Sequence, residues 1–409
     1  MPDLSNSATW FTAKRLRMHG LILALCLWSV YVWNISAPGL LDRAGNLKGT
    51  DFLHFYTLGS LALAHRGADL YNMQSQLAAE RVPAAVGIRY LPLYPPQVSI
   101  FFAPFARMSY ACALIFWLAL SALIYGACCY ALWRACPNLR KQQFTVVILA
   151  LALPAFWHLI AWGQTSALAL ACFTAAFFAL RAQRRFLAGL ALGCLIFKPQ
   201  LALAAALVFI VTLNWKIIAG AFLSGAAQIA AAWLYYGPGP LREWIRTLSD
   251  VPSLLPMLEP RLYQTHSLRT FWTMLIPWPA ASLALYLATA LVILILTVAC
   301  WRSGLALSLR YSALLLATVL LAPHLTVYDL VILAPAFLLL SDWIISQPDH
   351  PATRRFKVLL YLAFILPLIG PVARWTHVQL SVPVMAALLF GIWNLGRKSV
   401  SAANSDCEV

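Results

Sequence analysis

Charge is what this 409-residue sequence has least of: 10% of its residues are charged, 13 are acidic, and 62% are hydrophobic. An ordinary soluble domain carries about 25% charged and about 45–50% apolar residues. That scarcity excludes a soluble fold, because the apolar runs recur from Leu21 to Leu395 with no soluble-looking block between them. The expected class is an all-α polytopic membrane protein, built as one integral membrane domain over about 21–396.

Metal-ligand spacing and a disulfide framework are also lacking. Cys26, Cys112, Cys128, Cys129, Cys172, Cys194 and Cys300 fall inside apolar segments, where a thiol behaves as a small hydrophobe. No Gly-rich phosphate loop, H-E-x-x-H, G-x-S-x-G or D-x-D pair is present. The residues therefore call for no metal and no cofactor.

What the sequence does have is basic charge, 29 Lys plus Arg and a net charge of +16. The bases are scattered between apolar spans and form no stripe, which argues against nucleic acid. Cytoplasmic loops of membrane proteins collect Lys and Arg, so the clusters orient the chain. Lys14, Arg15 and Arg17 place an N-terminal segment, 1–20, in the cytoplasm. The run from Leu21 is aromatic-rich, with Trp28, Tyr31 and Trp33, and has no small-x-small cleavage site before Pro38, so it reads as a retained first span. Counting onward gives about twelve crossings. Arg134, Arg140, Lys141, Arg184, Arg185, Lys216, Arg302, Arg354, Arg355 and Lys357 lie inside, with outer loops at about 39–94 and 237–279. A polar tail, 397–409, ends in the cytoplasm and is expected to lack structure from Ser399. The run 94–106 contains three prolines and is short for a span of about 20 residues, so it reads as re-entrant or interfacial.

On this topology the ionisable and polar residues gather at one surface: Asp51, His54, Tyr56, Tyr94, Gln164, Lys198, His266, Arg269, His324 and Asp329. Polar groups at span ends commonly line a shared water-filled cavity, although each alone also fits a solvated loop or an interfacial anchor. Asp51 opens a segment whose apolar spacing suggests a helix lying on the membrane surface. Its carboxylate suits a general base that takes a proton from a hydroxyl; its place before Phe52 equally suits a helix N-cap. Lys198, before Pro199 in an apolar stretch, needs a counter-charge, supplied by a lipid phosphate unless the side chain snorkels to the interface. Arg269 offers a donor fork for phosphate or carboxylate, or a plain surface charge. His324 and Asp329 flank a break and can pair across it, for chemistry or for structure alone. His158, within an apolar run, reads as a satisfied buried histidine.

Several short motifs follow one another along the chain: D51-F-L-H-F-Y56, A-D-L-Y-N at 68–72, Y94-P-P, Gly163-Gln164, A-G-L-A-L-G leading to Lys198-Pro199, Ser267-Leu268-Arg269, and P-H-x-x-x-Y-D at 323–329. In order and content they resemble glycosyltransferase family 87 of the membrane-embedded GT-C superfamily. The resemblance implies a GT-C-like fold and a transferase that takes a sugar, mannose-like by preference, from a polyprenyl-phosphate donor on the outer leaflet, usually with inversion. A lipid or glycan is the implied acceptor, and a bacterial inner membrane the implied setting. Asp51 then stands where the family's proposed base stands, and Lys198, aided by Arg269, near the donor phosphate. His54, Tyr56, Tyr94, Gln164, His266, His324 and Asp329 become substrate-binding candidates, with Tyr56, Tyr94 and Trp162 able to stack on sugar faces. The chain departs from the family pattern at Gln264-Thr265-His266 and in the 323–329 run, which leaves sugar and acceptor open. A transporter and a non-catalytic subunit of envelope-glycan assembly are the competing classes; a transport site would lie near the midplane.

Overall fold

The computed structural model describes residues 12–405 except 81, 83–87, 260 and 349. The described residues are helical throughout their ordered elements, and two isolated bridges, Leu41 to Leu47 and Thr265 to Thr326, are their only β-pairings. Six helices are long and apolar enough to cross a membrane: Ala13–Ile35, Tyr110–Ala135, Trp215–Tyr236, Pro279–Arg302, Val327–Ser346 and Thr353–Thr376. A seventh candidate is a pair, Pro137–Ala152 and Pro154–Trp162, bent by 47°. The bend falls where Pro154 withholds a backbone donor and Leu153 takes an extended conformation. Five shorter apolar helices of 10–17 residues, including Ser166–Arg181 and Leu307–Leu321, complete the bundle.

Burial sorts these helices. Ala13–Ile35 buries only Gly20, which sits against Ile148 and Leu149, so this helix stands at the rim. Leu307–Leu321 buries every residue from Tyr311 to Leu321, and 61% of the Val327–Ser346 window is buried, so these two form the centre. Helices Arg185–Gly193 and Trp215–Tyr236 meet backbone to backbone: a Cβ on Gly189 would overlap the Ile217 carbonyl, and one on Gly220 that of Phe186. The glycines of the A-G-L-A-L-G motif thus serve close packing between helices.

The 39–94 loop contains a helix, Thr50–Leu63, expected to lie on the membrane surface. Instead, every residue from Phe52 to Ala62 is buried inside the protein. The physical reason is that its large side chains point all round the helix: Phe52 packs on Phe102, Phe105, Tyr110 and Trp117, and Phe55 stacks on Phe102. A helix apolar on all sides is buried, whatever its local periodicity suggests. The run 94–106 forms two short turns, Gln97–Phe102 and Phe105–Arg107, the first packed along this helix. Six residues rise only about 9 Å, so neither turn crosses a bilayer.

The two long loops touch each other. Trp244 of helix Pro238–Leu258 donates to the Leu93 carbonyl at 3.1 Å, and just beyond the loops the Tyr236 and Ser99 hydroxyls lie 2.6 Å apart. At the other end of the chain, the last helix runs Ser381–Ser405, so the segment expected to be unstructured from Ser399 is helical to Ser405. Part of the expected N-terminal segment (1–11) and the end of the tail (406–409) lie outside the described residues.

Candidate active site

Two glycines in left-handed conformation set the site. Gly49 (φ 63°) caps the Thr50–Leu63 helix, and Gly163 (φ 71°) ends the Pro154–Trp162 helix. Each carbonyl is held by an aromatic donor of helix Tyr110–Ala135: the Tyr110 hydroxyl donates to the Gly49 oxygen at 3.0 Å, and the Trp117 indole to the Gly163 oxygen at 2.9 Å. A Cβ at Gly163 would come 2.8 Å from that of Phe52, and one at Gly49 would overlap the Leu114 side chain, so both left-handed turns call for glycine. Asp51 is the second residue of its helix. Gly49 is the N-cap, and Asp51 makes no capping bond, so the capping reading of Asp51 is corrected.

The closure brings Gln164 to Asp51, with the amide Nε2 donating to Oδ2 at 2.7 Å. The other end of that amide, Oε1, accepts from Lys198 Nζ at 3.4 Å, from the Thr165 backbone at 3.3 Å and from the Tyr94 hydroxyl at 3.5 Å. Lys198 stands between two helices because Pro199 starts a new one, and this break aims its side chain into the core. Its ammonium meets Asp329 Oδ1 at 2.7 Å and Ser166 Oγ at 3.0 Å, and lies 5.0 Å above the Tyr328 ring. The counter-charge that Lys198 requires is therefore Asp329, in a pair only 3% and 1% exposed. Snorkelling to the interface is excluded by that burial. Asp329 also completes a capping box with Thr326, which turns its carboxylate inward.

Asp51, Gln164, Lys198 and Asp329 form one continuous polar chain through apolar surroundings. Gln164, Lys198 and Asp329 are buried, whereas Asp51 keeps partial exposure. Burial pushes the Asp51 carboxyl up to about 6; the Gln164 hydrogen bond and the Lys198 charge pull it down, and the Asp329 charge adds to the rise. A carboxylate of that basicity, open to solvent at one end and rigidly held at the other, is equipped to accept a proton near neutral pH.

His324 and Asp329 do not pair with each other. His324 Nδ1 lies 2.7 Å from Glu259 Oε1, while Arg269 donates to Glu259 Oε2 and to the Pro323 carbonyl. Lys198 claims Asp329, and Glu259 claims His324, because the 3₁₀ turn Val327–Leu333 directs Asp329 into the bundle. Burial works to raise the Glu259 carboxyl, but the hydrogen bonds and charges of His324 and Arg269 outweigh it and hold the group below the usual carboxylate range. Glu259 therefore adds stability above its unfolded pKa that is lost as the pH falls through its lower folded value. Glu259→Gln is expected to lower stability by about 1–3 kcal/mol at neutral pH. Thermal unfolding in detergent should show that difference shrinking as the pH falls below the usual carboxylate range.

The remaining candidates are placed apart from the Asp51 carboxylate. Tyr56 donates its hydroxyl to the Met108 carbonyl at 2.8 Å, pinning its helix to the neighbouring loop. His54 sits one turn beyond Asp51 among Phe55, Tyr90 and Tyr94. Burial brings its imidazole down to about 3, and neither ring nitrogen finds a partner. His266 faces the Ser381 hydroxyl at 2.8 Å, and its backbone N–H donates to Leu325, joining its loop to the 323–329 segment. His158 bonds the Pro154 carbonyl at 2.9 Å within its own helix. Trp162 packs edge-on against Tyr328.

Reading the residues alone missed Ser166, Glu259, Tyr328, Tyr110 and Trp117. Gln164-Thr165-Ser166 as a polar triplet inside an apolar run was a usable signal for Ser166. Glu259, beside Pro260 in a loop, carried none. Among the described residues no group of three His, Cys, Asp or Glu side chains converges as a metal site would require.

No curated protein and no solved structure matches the chain. The model of glycosyltransferase family 87 matches residues 93–323, more than half of the sequence. That range holds Tyr94, Gln164, Lys198, Glu259, Arg269 and the backbone at Pro323, and it stops short of Asp51 and Asp329. The chain belongs to glycosyltransferase family 87 and is a membrane glycosyltransferase.

Proposed function

We propose that the protein moves a hexose, mannose-like, from a polyprenyl-phosphate-sugar donor to a hydroxyl of a lipid or glycan acceptor, with Asp51 as general base. The reaction is placed at the outer face of a bacterial plasma membrane that the chain crosses about twelve times, both termini being cytoplasmic. The observation that carries this reading is the Asp51 carboxylate, partly exposed at the end of an otherwise buried chain through Gln164 to the Lys198–Asp329 pair.

In the proposed step the acceptor oxygen forms the new bond to the anomeric carbon as its proton passes to Asp51. The bond from that carbon to the phosphate oxygen breaks, and polyprenyl phosphate leaves with the electron pair. Positioning matters more than strong chemistry here, and the two glycine turns with their aromatic donors supply it. Lys198 already has a partner, so its role is to hold Gln164 and set the charge around Asp51. Arg269 is the partly exposed cation of the two, with guanidinium N–H groups beyond those bound to Glu259 and Pro323, and it is the better placed to meet the donor phosphate.

Purified protein in liposomes, supplied with a radiolabelled polyprenyl-phosphate hexose or with the matching nucleotide sugar, tests the donor class. Label should reach acceptor from the lipid-linked sugar alone. Transfer from the nucleotide sugar alone would overturn the reading.

A further inference from the structure

A cleft of about 450 Å³ runs between helices and has its mouth, at Ile345, Pro348 and Lys357, at the end of the bundle remote from Asp51. One helix fixes its direction: Val327–Ser346 carries Asp329 in its first turn and lines the cleft from Ala334 to Ile344 and Ile345 in its last turn. Its 20 residues rise about 30 Å, the thickness of a hydrocarbon core. The mouth of the cleft and the Asp51 site thus belong to opposite membrane faces.

Apolar side chains make the walls, among them Tyr125, Leu149, Leu153, Phe337, Leu338 and Phe364. Ala13 and Leu16 of the rim helix close one side. Lys357 is the one charged lining residue, and it makes no ion pair among the described residues. Arg354 and Arg355 occupy the preceding turn of its helix, and Arg140 and Lys141 directly precede the lining residue Gln142. Among the described residues the acid at this end, Asp342, is engaged: its Oδ1 accepts from the backbone of Asn138 at 2.8 Å and of Leu139 at 3.2 Å. Among the described residues the mouth is left basic.

An apolar cleft between membrane helices under a basic rim has the chemistry of a phospholipid site, with chain inside and phosphate at the mouth. We propose that this cleft binds one anionic phospholipid of the leaflet opposite the Asp51 site, an acyl chain against Leu149 and Phe337 and its phosphodiester on Lys357. The lipid would fasten the rim helix Ala13–Ile35, which buries so little of itself, to helix Gln143–Ala152.

Native mass spectrometry of the full-length protein, with phosphatidylglycerol or phosphatidylcholine of identical chains, tests this. Wild type should retain phosphatidylglycerol about tenfold more than phosphatidylcholine, a difference of about 1.4 kcal/mol. Lys357→Glu, and Val146→Trp filling the cleft, should each remove that retention, while Lys357→Arg keeps it. Should Val146→Trp not fold, Leu338→Trp on the facing wall reads the same property. Equal retention of the two lipids, or phosphatidylglycerol held unchanged by a folded cleft-filling variant, would overturn the proposal. So would its displacement by excess inorganic phosphate, which would mean an anion site without a bound chain.

Discussion

Asp51→Asn is expected to cut sugar transfer by about 10²–10⁴-fold, the usual contribution of a general base, with little change in stability. The reasons lie in what the carboxylate touches. Asn has the same shape and can still accept from Gln164 through its amide oxygen, so the Gly49 and Gly163 turns remain closed. Burial already disfavours the charged form of Asp51, so removing that charge relieves a cost and offsets the small loss of a favourable acid in the first helical turn. The loss should fall on kcat, with acceptor affinity largely kept. A variant that unfolds, or one that transfers at wild-type rate, would each contradict this account.

Lys198→Ala is expected to be the most destabilising single change in the site, by about 3–5 kcal/mol, because it leaves the Asp329 charge buried and unpaired. Lys198→Met combined with Asp329→Asn removes both charges and retains an oxygen that can bond Thr326, so thermal unfolding should return most of the stability. Activity should behave differently. In both variants Gln164 loses its Lys198 donor and Asp51 its fixed orientation, so transfer stays low even where the fold is restored. A double variant with recovered stability and wild-type transfer would show the ion pair to be structural only.

How far the sequence carried these conclusions depended on the kind of contact. Hydropathy exposed an all-α membrane protein, since a span must be long and apolar wherever it packs. The same logic failed for Thr50–Leu63. Its apolar residues lie on all sides, and Phe102, Tyr110 and Trp117 cover the face that would otherwise meet lipid or water; no local pattern encodes a cover supplied from 50 or more residues away. The need of Lys198 for a counter-charge was legible because an ammonium in an apolar run is costly. That the partner is Asp329, 131 residues on, was not. The pairing assigned to His324 and Asp329 relied on closeness in sequence, and the turn between them separated the two side chains. Gly163 and Gln164 were visible as a motif; that Gly163 supplies the left-handed turn and Gln164 the bridge appeared only with Phe52 and Asp51 beside them.

The pH dependence of transfer tests the central claim most directly. Asp51 must be ionised to accept a proton, and burial raises its carboxyl from 3.8 to about 6. As pH rises through that window, the same group destabilises the fold, because the native state binds the proton more tightly than the unfolded chain. The rate, in contrast, should rise with pH. In kcat/KM measured with the lipid-linked donor, an acid limb centred near pH 6 should give way to a plateau above it. Lys198→Ala, which leaves the Asp329 charge to act on Asp51, should move that limb to higher pH. A limb near pH 4 in wild type, or one near 6 that persists in Asp51→Asn, would contradict the assignment of Asp51 as the base.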